Sequence, residues 1–154
     1  MSVPPNIDRF NQATLLVFDT LYLAFPVPVE LNVSEMARVT WPPDVPFEDT
    51  FTSNQPVYYM IEFLQKEGFI EYGDSTLDGK TFFQARLTAK SLALLGQTPS
   101  ALEPQVSVSD KIRSVVKGGL KDVSSEVAKK AVEMLFSCAP ALQSVGWAVA
   151  SVGP

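Results

Sequence analysis

Glu48 and Asp49 stand side by side, and neighbouring carboxylates are what acid/base chemistry or a hard cation would use. No other ligand or base converges on them in the sequence, so they read as part of a solvated loop. Asp74 and Asp78, further along, read as ordinary turn residues. The chain has no histidine, which removes His-dependent triads, the commonest general base and the commonest metal ligand. Cys138 is the only cysteine, so no intrachain disulfide and no Cys-based zinc site can form, and a reducing compartment fits. The sequence offers no catalytic residue, no metal site and no cofactor.

Recognition remains, and two residue sets could supply it. Arg38, Lys66, Lys80, Arg86 and Lys90 are the cations that nucleic-acid phosphates would need. Against them stand a net charge of -5 and a pI near 4.7, which weaken any broad attraction to phosphate or anionic lipid. The second set lies on one helix. A turn of 100 degrees per residue that places Val57, Met60, Ile61 and Leu64 inward turns Tyr59, Glu62, Phe63 and Lys66 outward, with Gln55 near the same face. That face is aromatic and nearly neutral. Glu62 could accept only from cytosine and otherwise repels phosphate. Exposed Tyr and Phe suit a protein contact better, since aromatics dominate interface hot spots. A purely structural alternative packs Phe63 under the loop that carries Trp41.

The elements that must hold these residues follow from periodicity and capping. From Asn6 or Asp8 to about Ala24, apolar residues recur at helical spacing, and Pro26 and Pro28 stop the run. Val29 to Val33 alternates like a short strand, and Ser34 looks like the N-cap of a short second helix. Three prolines between Trp41 and Phe47 predict a rigid, extended loop. A third helix is expected from Ser53 or Asn54 to Glu67, with Pro56 in its first turn and Gly68 ending it. Phe69 to Tyr72 and Lys80 to Leu87 read as strands around an Asp78-Gly79 turn, and Thr88 can cap a last helix through Leu95.

This order, with Ile61, Leu64, Gly68, Phe69 and Ile70 in an L-x-x-L-x-x-x-G-hydrophobic-Ile pattern, resembles the winged helix-turn-helix superfamily over about residues 6–96. Arg86-Leu-Thr-Ala-Lys also resembles the superfamily's approach to its closing helix, although Ser91 stands where glycine is usual. The resemblance implies an α+β, mainly helical fold with a small β-wing. It also implies DNA binding through the third helix, a role that the long proline loop and the Tyr59, Glu62, Phe63 face contest.

The remainder is different in kind. Residues 1–104 carry 6 Lys/Arg against 13 Asp/Glu, net -7, and residues 105–154 carry 6 against 4, net +2, which together give -5. We expect a winged-helix domain over 1–96, a linker over 97–108 and a helical, amphipathic to apolar tail over 109–154. Its stripe of Ile112, Val116, Leu120, Val123, Val127, Ala131 and Leu135 is too long to leave in water and needs cover. The cover could be the winged domain, a second copy, a partner or lipid. Gly118-Gly119, Pro140 and the small residues beyond suit close packing better than membrane insertion.

The expected function is a non-catalytic adaptor or regulator, cytoplasmic, acting through protein contacts and tail-mediated self-association into a homo-oligomer. A DNA-binding transcriptional regulator is one alternative. The other is a membrane-acting protein using residues 107–154, which would give membrane association. The N-terminal residues lack the pattern of a secretory signal.

Overall fold

The computed structural model describes residues 3–96, 107–119 and 124–136. Helix α1, Pro5–Ala24, starts slightly earlier than the periodicity predicts, because proline is tolerated in a first turn whose N–H groups have no intrahelical partner. Strand β1, Val29–Asn32, leads directly into α2, Val33–Val39. The cap of α2 is Asn32 and not Ser34: the Asn32 side chain accepts from the Glu35 N–H at 2.9 Å, and Ser34 is buried inside the helix.

Helix α3, Phe51–Lys66, is also longer than expected. Thr50 caps it by accepting from the Ser53 N–H, so Pro56 falls inside the helix instead of in its first turn. At its end Gly68 adopts φ 81°, a left-handed conformation that glycine takes without the steric cost of a Cβ. The Phe69 N–H then reaches back to the Leu64 carbonyl at 2.9 Å.

The sheet is antiparallel and centred on β4, Thr81–Leu87. On one edge lie β2, Ile70–Glu71, and β3, Asp74–Ser75, which keep a single register along β4: Ile70 faces Leu87 and Ser75 faces Phe82. On the other edge β1 pairs with β4 through a bulge, since Val29 faces Ala85 but Leu31 faces Phe82. Gln84, with φ 58°, sits in that bulge. The extra residue resets the alternation, so that Phe82, Ala85 and Leu87 are all buried. The turn before β4 passes through Gly79 at φ 71°.

Thr88 joins two helix ends. Its hydroxyl accepts from the Ser91 N–H to cap α4, Ala89–Leu95, and donates to the Gly68 carbonyl at 2.6 Å.

Two further helices complete the described chain: α5, Val108–Lys117, and α6, residues 125–136. The core is continuous through both. Leu15, Phe18, Ile61, Leu64, Phe82 and Leu94 share it with Ile112 and Leu135. α5 lies on α1 and α4, and Arg113 donates to Asp19 of α1 at 2.8 Å, so a basic segment meets the acidic body at a buried carboxylate. Ile112, Ala131 and Leu135 of the expected stripe are buried, and Val116 is half-buried. Val127 is not part of the covered face: it is 40% exposed, because the apolar side of α6 turns through Ala128 instead. Leu120 and Val123 lie outside the described residues. Protein covers Ile112, Ala131 and Leu135 of the stripe, and no helix among the described residues is long and apolar enough to cross a membrane.

The chain is thus α+β, with six helices and one small antiparallel sheet among the described residues.

Candidate functional site

Where the first turns of α1 approach α3, the two helices leave between them an apolar groove of about 330 Å³. Ile7, Phe10 and Ala13 line it from α1; Pro56, Val57, Tyr59, Met60 and Phe63 line it from α3. Its floor is core, since Ala13, Val57 and Met60 are buried. Its rim is open to solvent: Ile7 is 43% exposed, Tyr59 52% and Phe63 45%. Exposed single apolar residues are ordinary on proteins, whereas three around one concave apolar floor mark a place that water covers poorly.

The rim is ordered by ring contacts. Phe63 meets Phe10 edge-on at 5.7 Å and 76°, and Tyr59 stands perpendicular to Tyr58 at 5.3 Å. Phe63 therefore does not pack under the Trp41 loop. Trp41 has its own partners, Phe47 at 5.4 Å and the Arg9 guanidinium at 4.6 Å from its ring centroid. Behind Phe10, Phe136 at the end of α6 packs on both Phe10 and Phe69.

Of the five residues expected on the outward face of α3, the groove takes two. Tyr59 and Phe63 line it, while Gln55 and Lys66 are exposed outside it and Glu62 is half-buried outside it. The groove also uses Ile7 and Phe10 of α1, which the sequence marks only as part of a helical apolar stripe. The available signal was the apolar spacing of α1 continuing into its first turns, further than the core beneath reaches.

The five cations that phosphate would need are not brought together into one free patch. Arg38 pairs with Glu35 at 2.7 Å and lies over the Phe47 ring. Lys80 pairs with Asp49 at 3.1 Å, and the Arg86 Nε donates to Glu71 at 2.9 Å. Lys90 donates to the Glu67 carbonyl at 2.8 Å, with its ammonium 4.4 Å from the Phe69 ring centroid. Only Lys66, among these five, shows no such partner among the described residues.

Two of the carboxylates are tied into this arrangement. The Asn54 amide, the Lys80 ammonium and the Ser34 hydroxyl hold the Asp49 carboxyl down at about 2, against an ordinary 3.8. Hydrogen bonds from the Thr76 hydroxyl and the Lys80 backbone N–H lower Asp78 as well. Burial, and then the charge of Glu62, raise the Tyr72 phenol. Asp49 thus fastens the proline loop to both α3 and the turn before β4. Among the described residues no group of three or more His, Cys, Asp or Glu side chains converges as a metal site would require.

No protein-family model, curated protein or solved structure matches the chain.

Proposed function

We propose that this chain is a winged-helix interaction module that binds a protein partner through the groove between α1 and α3. The winged-helix reading is supported by a hairpin that follows directly on α3, turns at Gly79 and returns as β4 into a Thr88-capped helix. The functional reading is carried by one observation: the exposed aromatics of α3 rim a preformed apolar groove. The fitting occupant is an amphipathic helix or a short apolar segment of the partner, inserting side chains between Ile7 and Tyr59 and displacing water from Phe63. Self-association through the tail stripe loses its motive, since Ile112, Ala131 and Leu135 are already buried within the chain. The module acts as an adaptor or regulator, without catalysis, in the cytoplasm.

DNA recognition draws its affinity from free cations, and four of the five that could meet phosphate already have acceptors or carboxylates of their own. The experiment has two arms. A photo-crosslinking amino acid at Tyr59 of the full chain, in the cells that make it, should yield a discrete protein adduct that Phe63→Ser removes, whereas the same group at the exposed Leu77 of the wing should not. Fluorescence anisotropy with a random labelled duplex should show no binding at micromolar protein in about 0.15 M salt, below the affinity of ordinary non-specific binders at roughly 10⁻⁴ to 10⁻⁶ M. Duplex binding at micromolar protein that is lost on replacing Lys66 and Lys80 would overturn the proposal in favour of a DNA-binding regulator.

A further inference from the structure

We infer that the partner segment taken by this groove is an amphipathic helix whose apolar anchors are flanked by glutamate or aspartate. The inference rests on the reading of the groove as a protein-docking surface and names the chemistry of what docks there.

Residues 1–104 carry 13 Asp/Glu and only 6 Lys/Arg, so a cation there has carboxylates to spare. Arg38, Lys80 and Arg86 each pair with one, and Lys90 donates to the Glu67 carbonyl. The two left over are Arg9 and Lys66. The Arg9 guanidinium lies over the Trp41 ring, 4.6 Å from its centroid, and neither cation has a carboxylate or carbonyl acceptor among the described residues.

Both stand at the groove. Arg9 lines it from α1. Lys66 follows Tyr59 by seven residues and Phe63 by three, spacings that put all three on one side of α3, and all three are exposed. No Asp or Glu is among the residues that line the groove. In a body with twice as many acids as bases, the unpaired cations thus border the one apolar surface that water covers poorly.

A surface of this kind is complementary to a ligand that carries carboxylates beside its apolar anchors. A helix presents that combination most compactly, with anchors at i, i+4 and i+7 laid along the groove and acidic residues one turn away on either flank. The net charge of -5 does not oppose it at close range. At about 0.15 M salt the Debye length is about 8 Å, so charges spread over the body are largely screened while pairs in contact persist. An exposed ion pair is worth at most about fivefold in affinity, so the apolar anchors hold the segment and the two cations choose among apolar segments.

The test uses the full chain and three synthetic helical peptides with the same leucine anchors at i, i+4 and i+7, differing only in flanking residues: glutamate, glutamine or lysine. Binding is read from assigned amide shifts in about 0.15 M salt. The glutamate peptide should bind about fivefold or more tighter than the glutamine peptide, the lysine peptide should be weakest, and the largest shifts should fall at Ile7, Tyr59 and Phe63. The Arg9→Glu, Lys66→Glu double variant should reverse the order. Should the change at Arg9 unsettle Trp41, Lys66→Glu alone, at an exposed residue, should still remove part of the preference. Equal affinity for all three peptides, with shifts at those residues, overturns the inference and leaves the groove reading standing. A preference for the lysine peptide does the same and assigns a basic partner drawn by net charge. A glutamate preference that survives both variants places the acidic contact elsewhere and also overturns the inference. If no peptide moves Ile7, Tyr59 or Phe63 at millimolar concentration, the inference fails, and the crosslink at Tyr59 decides the groove reading by itself.

Discussion

The hairpin from β2 to β4, the wing of our proposal, and the groove flank the same helix, α3, and they treat exposed side chains in opposite ways. On the wing side, charges are closed on each other: Lys80 meets Asp49, Arg86 meets Glu71, and Asp78 gathers the Thr76 hydroxyl and the Lys80 N–H. On the groove side, Ile7, Tyr59 and Phe63 stand in solvent around an apolar floor. A charge already paired gives up that pair before it can bind phosphate, so the wing has little to gain from a ligand. An apolar rim in water gains from any apolar cover. The contrast favours the groove over the hairpin as the surface we propose for a partner, more than the identity of either residue set does alone.

Both surfaces depend on the seating of α3, and the largest expected effect comes from breaking that. Leu64 is fully buried on the inner face of α3. Leu64→Ala should destabilise the protein by about 2–5 kcal/mol in urea unfolding, through lost burial and the cavity left behind. A loss below about 1 kcal/mol would mean that α3 is not packed as described, and the groove would lose its floor.

Next in size is the clamp that holds α1 from behind. Arg113 is half-exposed, but its partner Asp19 is buried, so Arg113→Ala leaves a carboxylate inside the protein without its charge-assisted hydrogen bond. We expect a loss of about 1–3 kcal/mol in urea unfolding. The Asp19→Asn, Arg113→Ala double variant should recover part of it, because the stranded charge is then gone. No recovery would place the cost in packing of the arginine stem and not in the ion pair.

What the sequence made legible, and what it did not, divides along chain distance. Most of the passage from α3 to α4 was readable because each signal is local: glycine at a left-handed helix end, an Asp-Gly turn, a Thr cap two residues before Lys90. Asp74, expected in the turn, instead lies in β3, where it pairs with Phe83 of β4. Caps were misplaced where two capping residues compete within a turn, as Asn32 and Ser34 do. The bulge at Gln84 left no trace, since glutamine is not a residue that announces a positive φ. The candidate site was half legible. Tyr59 and Phe63 follow from helical phase alone, but Ile7 and Phe10 lie far away in the chain, and nothing in their own neighbourhood separates a rim residue from a core residue. The docking of α5 is of the same kind, fixed by a pair of residues 94 positions apart.

A smaller effect sharpens the wing side through pH. The Asp49 carboxyl is held at about 2 by Asn54, Lys80 and Ser34, below its ordinary 3.8. Because the folded value is the lower one, the stabilisation is fully present above about pH 4 and is lost as pH falls through about 2. Asp49→Asn should therefore lower the melting temperature modestly at neutral pH and converge with the unaltered protein near pH 2. Melting curves that stay separated at pH 2 would show that the asparagine acts by geometry and not by charge. Added salt should shrink the difference at neutral pH, since Lys80 and Asp49 are both substantially exposed.

The smallest effect on stability is expected where the largest effect on binding is. Tyr59 is 52% exposed and its main ring contact is with Tyr58, so Tyr59→Ser removes little that the fold uses. Its unfolding free energy should stay within about 0.5 kcal/mol of the unaltered protein. Yet the same substitution deletes one of three apolar side chains on the groove rim, and hot-spot aromatics are where interfaces concentrate their energy. It should weaken binding of an apolar peptide to the groove by about tenfold or more, equivalent to roughly 1.4 kcal/mol. Lys80→Ser supplies the mirror image on the wing: it removes an ion pair from the folded protein and should leave peptide binding unchanged. If Tyr59→Ser costs stability and Lys80→Ser costs binding, the assignment of the two sides of α3 is reversed, and the wing becomes the surface to pursue.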